Sequence, residues 1–204
     1  MRLTAEHLEH ATQALGRAFE NYPLIEYALP EASRRLRGAT QLYGSILRYG
    51  LAHGEAYTTQ DVRGAACWLP PARPFPSFLG MVRAGMLRVP FRFGWTGFQR
   101  LSAFDHVATA LHRVHAPGPH WYLWAIGVEP QHQGRGLAGN LMQPVLSRAD
   151  AEGLPCYLET HKETNVRIYQ RYGFDVVAES GAAGHPGKIW AMIRPPIGRH
   201  GGDD

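Results

Sequence analysis

Apolar positions in residues 5–20 recur at helical spacing. Leu8, Ala11, Leu15, Ala18 and Phe19 follow Thr4, which reads as an N-cap, so this stretch predicts a first helix. Pro23 and Pro30 bracket a short segment read as a turn of helix. Ser33 then opens a second helix with Leu36, Leu42, Ile46 and Leu47 inward and Gly54 as its stop. "EAYTT" and "VRGAACWLP" read as a β-hairpin around Gln60-Asp61, ended by Pro70-Pro71, which cannot continue a central strand. Residues 70–120, dense in Pro, Gly and aromatic residues, predict two or three helices. One presents Phe78, Met81, Val82, Met86 and Leu87 on a common face, another Phe104, Val107, Leu111 and Val114. Beyond them come a strand at 121–128, a glycine loop, a helix at 137–152, the strand "CYLET" and a helix from about Asn165 to Tyr172. "FDVVAES" and "KIWAMIR" close the pattern as strands, and the polar tail from about residue 198 reads as disordered.

A chain of 204 residues with 45% apolar content suffices for one buried core, and neither repeat nor linker divides it, so 1–204 is expected to be a single α/β domain. All but two of the 21 basic residues are arginine, yet the net charge is only +4: enough to suit an anionic ligand, too little to indicate nucleic acid. Cys67 and Cys156 lack any C-x-x-C or His-Cys spacing, so neither a disulfide framework nor zinc is expected, and a reducing cytoplasm is the natural compartment. His7 and His10, three apart on a surface helix, fit solvation better than a metal. The amphipathic N-terminus lacks a signal-peptide pattern and no stretch of about 18 residues is wholly apolar, so no membrane span is expected. Arg83, Arg88 and Arg92 read as a solvated helix face rather than a membrane contact.

The informative stretch is "EPQHQGRGLAGN". A strand, a glycine-rich turn and a helix N-terminus present unpaired backbone N–H groups at the positive end of a helix dipole, which suits a phosphate. Gly134, Gly136 and Gly139 spell G-x-G-x-x-G, and Glu159 lies about twenty residues further on, as in dinucleotide folds. A dinucleotide reading fails on two counts. Residues 129–133 intervene between the strand and the first glycine, and the 65 residues after Gly139 are too few for the remaining βα units.

"IGVEPQHQGRGLAGNLM" resembles the acetyl-CoA signature of the GCN5-related N-acetyltransferase (GNAT) superfamily, with Gln133, Gly136 and Ala138 in its three fixed places. A second signature stands in "NVRIYQRYGF", with Asn165, Tyr169, Gly173 and Phe174. Within the superfamily the look-alike stretches "AFENYP", "AACWLPP", "LPCYLETH" and "IWAMIRPP" fall in the order seen in puromycin N-acetyltransferase-like members. The resemblance implies a mixed, mostly antiparallel sheet of about six to seven strands flanked by helices. Its two parallel strands, here 121–128 and 155–160, splay apart so that pantetheine pairs with the exposed edge. It further implies acetyl-CoA as co-substrate. Ile126, Gly127 and Val128 would contact pantetheine. Gln133, Gly134, Arg135, Gly136, Leu137, Ala138 and Gly139 would wrap the pyrophosphate, with His132 as a further candidate. Asn165, which also fits an N-cap, and Tyr169 would lie beside the pantetheine arm.

An amine of pKa ~10 is only about one part in a thousand neutral at pH 7, and only the neutral form attacks a thioester. Glu159 sits at the family's "LE" position at the strand end and is the expected base, directly or through water, with Tyr157 on the same strand face. Tyr169 matches the family's tyrosine at the departing sulfur. Tyrosine's pKa of ~10 exceeds a thiol's ~8.5, so full proton transfer is uphill by roughly 2 kcal/mol and hydrogen bonding carries more weight. Tyr172 offers a second hydroxyl, though its place beside Gly173 suits packing, and His120 and His161 flank the splayed strands. The expected partner is a small-molecule amine, with nucleic acid and membrane excluded and a homodimer left open. A CoA-holding domain without turnover and a peptide or protein acetyltransferase are the alternatives. "FENYPLIEYALP" and residues 70–115 are expected to shape an acceptor pocket for an aromatic or aliphatic body.

Overall fold

In the computed structural model, which describes residues 1–181 and 187–198, the alternating segments assemble into one six-stranded sheet. β1 (Glu55–Thr58) and β2 (Gly64–Leu69) form the predicted hairpin, and β2 pairs antiparallel with β3 (Trp121–Val128). β3 pairs parallel with β4 (Cys156–Thr160). β6 (Lys188–Arg194) lies antiparallel between β4 and the edge strand β5 (Asp175–Gly181), giving the order β1-β2-β3-β4-β6-β5. The expected mixed, mostly antiparallel α/β sheet is thus present, with a single parallel pair.

Helices cover both faces. On one lie α1 (Leu8–Phe19) and α3 (Ala32–His53), joined by the short α2 (Pro23–Ala28); Leu15, Phe19, Ile46 and Leu47 pack there against Ala65, Cys67 and Ala125 of the sheet. On the other lies α6 (Leu137–Glu152), whose Leu141, Met142, Val145 and Leu146 pack on Trp68, Leu123, Leu158 and Met192. Full burial of each such side chain is worth roughly 1.5–3 kcal/mol, so this stripe fixes α6 on the sheet and with it the loop before its first turn. α7 (Glu163–Gln170) follows β4 and adds Val166 and Tyr169 to that core.

Several local expectations need correction. His7, not Thr4, occupies the N-cap of α1, because the Thr4 hydroxyl is engaged with His7 Nδ1 at 2.8 Å. α7 begins at Glu163 behind Lys162, so Asn165 stands inside the helix and is not its N-cap. Residues 70–115 form α4 (Phe78–Arg83), a 3-10 turn (Met86–Arg88) and α5 (Val89–His115), which is interrupted at Gly94 with φ 70° and ψ 171°. Phe104 is buried as expected, but Leu36, Phe78, Leu87 and Val114 face solvent, since smaller neighbours occupy the inner positions. The expected disordered tail lies outside the described residues from 199 onward.

Candidate active site

β3 and β4 pair through Trp121–Leu123 and Cys156–Leu158 and then part. Trp124 is an extra residue opposite the Cys67/Trp68 step of β2, a bulge that bends β3 where the strands separate. Beyond it, Ala125–Val128 remain paired with β2 on one edge, while the edge toward β4 opens on a groove. Ala18, Phe19 and Tyr22 wall this groove on one side; Lys162, Asn165, Ile168 and Tyr169 wall it on the other. Its volume, about 380 Å³, is in the range of small-molecule sites.

At one end of the groove is the glycine loop. Glu129 pins it: its carboxylate accepts from Arg17 Nε at 2.6 Å and Arg63 Nη1 at 3.2 Å, and its N–H donates to the Arg63 carbonyl at 2.8 Å. Gln133 Nε2 donates back to the Val128 carbonyl at 2.9 Å, so this side chain shapes the loop. Gly134 and Gly136 both have φ 76°, and a Cβ on either would meet nothing within 4 Å; glycine is required there by backbone conformation, not by space. Gly139 is the opposite case, because a Cβ would lie 2.6 Å from Tyr172 Oη. Among the described residues, the N–H groups of Gly134, Arg135, Gly136, Leu137 and Ala138 have no protein acceptor, and they cluster at the N-terminus of α6. This unpartnered donor cradle fits a phosphate or pyrophosphate.

Ten of the residues expected to bind a cofactor line this groove: Ile126, Gly127, Val128, Gln133, Gly134, Gly136, Leu137, Ala138, Asn165 and Tyr169. Arg135 does not, as its guanidinium turns back toward the Gln131 carbonyl, and Gly139 lies behind, against Tyr172. Lys162, Arg171 and Tyr172 also line the groove. The sequence motifs had not marked Lys162 or Arg171, whose positions follow only from how α7 sits on β4.

At the other end an aromatic cavity is lined by Phe19, Tyr22, Tyr43, Trp124, His161 and Tyr169, with Glu159 among them. Phe19 and Tyr43 stack with centroids 3.7 Å apart, and Tyr22 Oη accepts from the His161 N–H at 3.0 Å. Asn165 Nδ2 donates to Thr160 Oγ1 at 3.2 Å, tying α7 to the end of β4. Burial, then the nearby Tyr22 hydroxyl, raises the Tyr169 pKa, so the phenol stays protonated. No residue of 70–115 lines the cavity. The expectation that this segment shapes the pocket is corrected: α5 packs behind β4 and β6, and the walls come from α1, α3, β3 and α7.

Glu159 is buried. Tyr122 Oη donates to its Oε2 at 2.8 Å, while Oε1 has no hydrogen-bond partner and faces His112 Nδ1 at 3.9 Å. Burial pushes the carboxyl pKa up to about 8, with Asp105 adding to the rise and the hydroxyls of Tyr122 and Tyr157 opposing it. Tyr157 Oη lies short of hydrogen-bond geometry, so Tyr122 is the effective donor. Behind this pair, His112 stacks on Tyr157 at 4.3 Å and bonds His120, Nε2 to Nε2, at 2.6 Å. Burial and His120 push the His112 pKa down to about 3; burial also lowers that of His120, so both rings are neutral. His120 Nδ1 must donate to the Gly118 carbonyl at 2.6 Å, which leaves its Nε2 as acceptor and makes His112 Nε2 the donor. His112 therefore presents an unprotonated Nδ1 to Glu159. His120 thus belongs to the network behind Glu159, whereas His161 lines the cavity. Among the described residues no group of His, Cys, Asp or Glu is arranged to hold a metal ion.

A splayed parallel strand pair, a donor cradle before a helix and a buried carboxyl at the splay define an acyltransferase. The chain matches the family model "Acetyltransferase (GNAT) family" over residues 85–174. It is 25% identical over 181 residues to an N-acetyltransferase of Schizosaccharomyces pombe, covering 85% of this chain and 72% of that protein. A Corynebacterium glutamicum structure described as histone acetyltransferase HPA2 and related acetyltransferase superposes with a TM-score of 0.67 at 21% identity, covering 98% of this chain and 97% of the other. Arylalkylamine N-acetyltransferase 2 of Aedes aegypti does so with a TM-score of 0.59 at 12% identity, covering 97% and 98%.

Proposed function

We propose that the chain, as a single domain, is a cytoplasmic acetyl-CoA-dependent N-acetyltransferase acting on a small primary amine by direct attack in a ternary complex. The observation that carries this reading is the continuity of the groove. Ile126, Asn165 and Tyr169 line both the part beside the glycine cradle and the aromatic cavity that holds Glu159. Acetyl-CoA would supply an activated acetyl thioester. For it, residues 134–138 offer backbone donors to the pyrophosphate, with Lys162 and Arg171 as flanking cations, and Ala125–Val128 offer an open strand edge to the pantetheine amides.

Glu159 takes the proton that the ammonium form of the acceptor must lose. With a pKa near 8 it is closer to an amine's ~10 than an exposed carboxylate would be, so transfer is less uphill. Oε1 is the receiving atom, because Oε2 already accepts from Tyr122. Tyr169, protonated and lining the groove, donates a hydrogen bond to the departing sulfur. The aromatic, mostly neutral lining suits an acceptor with an aromatic or aliphatic body, and the narrow cavity suits a small molecule better than a peptide.

A panel of aromatic and aliphatic primary amines, assayed for free CoA thiol released from acetyl-CoA, tests the reading. Amine-dependent release is expected. Tight CoA binding with no release for any amine would instead mark a CoA-holding domain without turnover, and release with peptides alone would assign a peptide acceptor.

A further inference from the structure

A helix on a protein surface ordinarily keeps its bulky apolar residues inward and its polar ones outward. Residues 78–97 depart from this pattern, leaving five bulky apolar side chains outward while three of the inner places go to small residues. Gly80, Ala84, Val89, Phe93 and Gly97 face inward, while Phe78, Leu79, Leu87, Phe91 and Trp95 are 76%, 56%, 57%, 87% and 71% exposed. The small inner residues are fixed by close packing. A Cβ on Gly80 would come within 2.6 Å of the Tyr49 ring, and one on Gly97 within 2.6 Å of the Ala28 carbonyl. The helices therefore cannot roll to bury their large side chains. Leu87 and Phe91 are one helical turn apart, with Arg88 and Arg92 in the adjacent row and Arg83 at the end of α4. Trp95 follows the break at Gly94, its ring 6.3 Å from that of Phe98.

Charge identifies what meets this face. From Val62 to Phe104 the chain carries Arg63, Arg73, Arg83, Arg88, Arg92 and Arg100 and no acidic residue. Among the described residues, Arg83, Arg88 and Arg92 enter no ion pair. A second copy docked here about a two-fold axis would set arginines against arginines, which disfavours self-association. Phe78, Leu79, Leu87, Phe91 and Trp95 stand out to solvent and line neither the groove nor the aromatic cavity. Exposed Phe, Leu and Trp interleaved with Arg match the boundary between anionic headgroups and acyl chains.

We propose that this surface is a membrane-docking face, with Phe78, Leu79, Leu87, Phe91 and Trp95 entering the headgroup–acyl boundary and Arg83, Arg88 and Arg92 binding lipid phosphates. It is a peripheral contact, because no helix among the described residues is long and apolar enough to cross a membrane. It also revises the reading of these arginines as merely solvated.

The test is co-sedimentation of the full chain with phosphatidylcholine vesicles made with and without phosphatidylglycerol. Quenching by brominated lipid is measured in parallel for the wild type and Trp95→Phe. Binding that requires phosphatidylglycerol and weakens with salt is expected, with quenching largely lost in Trp95→Phe. Phe91→Ser/Trp95→Ser and Arg88→Glu/Arg92→Glu should each lower partitioning at least about tenfold while leaving the thermal melt and soluble acetyl transfer unchanged. Folded protein that ignores anionic vesicles overturns the proposal, as does quenching that survives Trp95→Phe. A dimer dissociated by Phe91→Ser/Trp95→Ser would overturn it in favour of self-association. Binding to polyglutamate without binding to vesicles would overturn it in favour of an acidic protein.

Discussion

Glu159 holds its proton where an exposed carboxyl would have lost it, and this has a thermodynamic signature separate from catalysis. Its folded pKa of about 8 stands above the ordinary 4.5, so between those values the folded chain binds a proton that the unfolded chain has released. That contribution to stability is fully present below about pH 4.5 and is lost as pH rises through about 8. Glu159→Gln keeps an acceptor for Tyr122 and cannot ionise. It should melt close to wild type at pH 5 and higher than wild type at pH 9, by the equivalent of a few kcal/mol. An equal difference at both pH values in calorimetry would contradict the raised pKa. If Tyr169 acts as proposed, Tyr169→Phe removes one hydrogen bond to a developing thiolate, worth roughly 1.5–3 kcal/mol, so turnover should fall about ten- to hundredfold with CoA affinity unchanged, as read by single-turnover kinetics and titration calorimetry. The place of both residues in the cavity was legible in the sequence because each stands at a fixed motif position. His112 was not, since its approach to Glu159 depends on the docking of α5, which no local pattern encodes.

The glycine loop shows how much one element can say. The sequence pattern marked the bounds of β3, β4, β6 and α6 closely, because strand alternation and helical period change sharply at the loop. The φ of 76° at Gly134 and Gly136 makes a further prediction. Alanine at either position is strained by about 1–3 kcal/mol, so each variant should bind CoA about tenfold or more weakly by calorimetry, although the added Cβ has room. Unchanged affinity in both variants would mean the loop conformation does not serve the phosphates. Residues 70–115 were far less legible. Periodicity there marked which residues share a helix face but not which way the face turns, and the inner positions went to Gly80, Ala84 and Gly97 because only small residues fit against α3 and α2.

Across the molecule, one bulge at Trp124 and three parallel residue pairs turn a mostly antiparallel sheet into a site. α1 and α7 wall the opening, α6 presents its N-terminus to it, and α5 seals the far side behind Glu159. The ion pairs of Glu129 with Arg17 and Arg63 tie α1, the β2 end and the loop together. Motif spacing marked the glycine-loop end of the groove before any coordinates, and "FENYPLIEYALP" pointed to Phe19 and Tyr22 at the aromatic end, while Tyr43 of α3 belongs to no motif and had to await packing. The central claim is that Glu159 deprotonates a small amine at this splay. The pH dependence of kcat/KM for amine-driven CoA release, compared between wild type and Glu159→Gln, tests it most directly. The wild-type rate should rise through a limb near pH 8. Glu159→Gln should lose that limb and at least about a hundredfold in rate, with CoA affinity intact. A variant that keeps the full rate and the same profile would contradict the account.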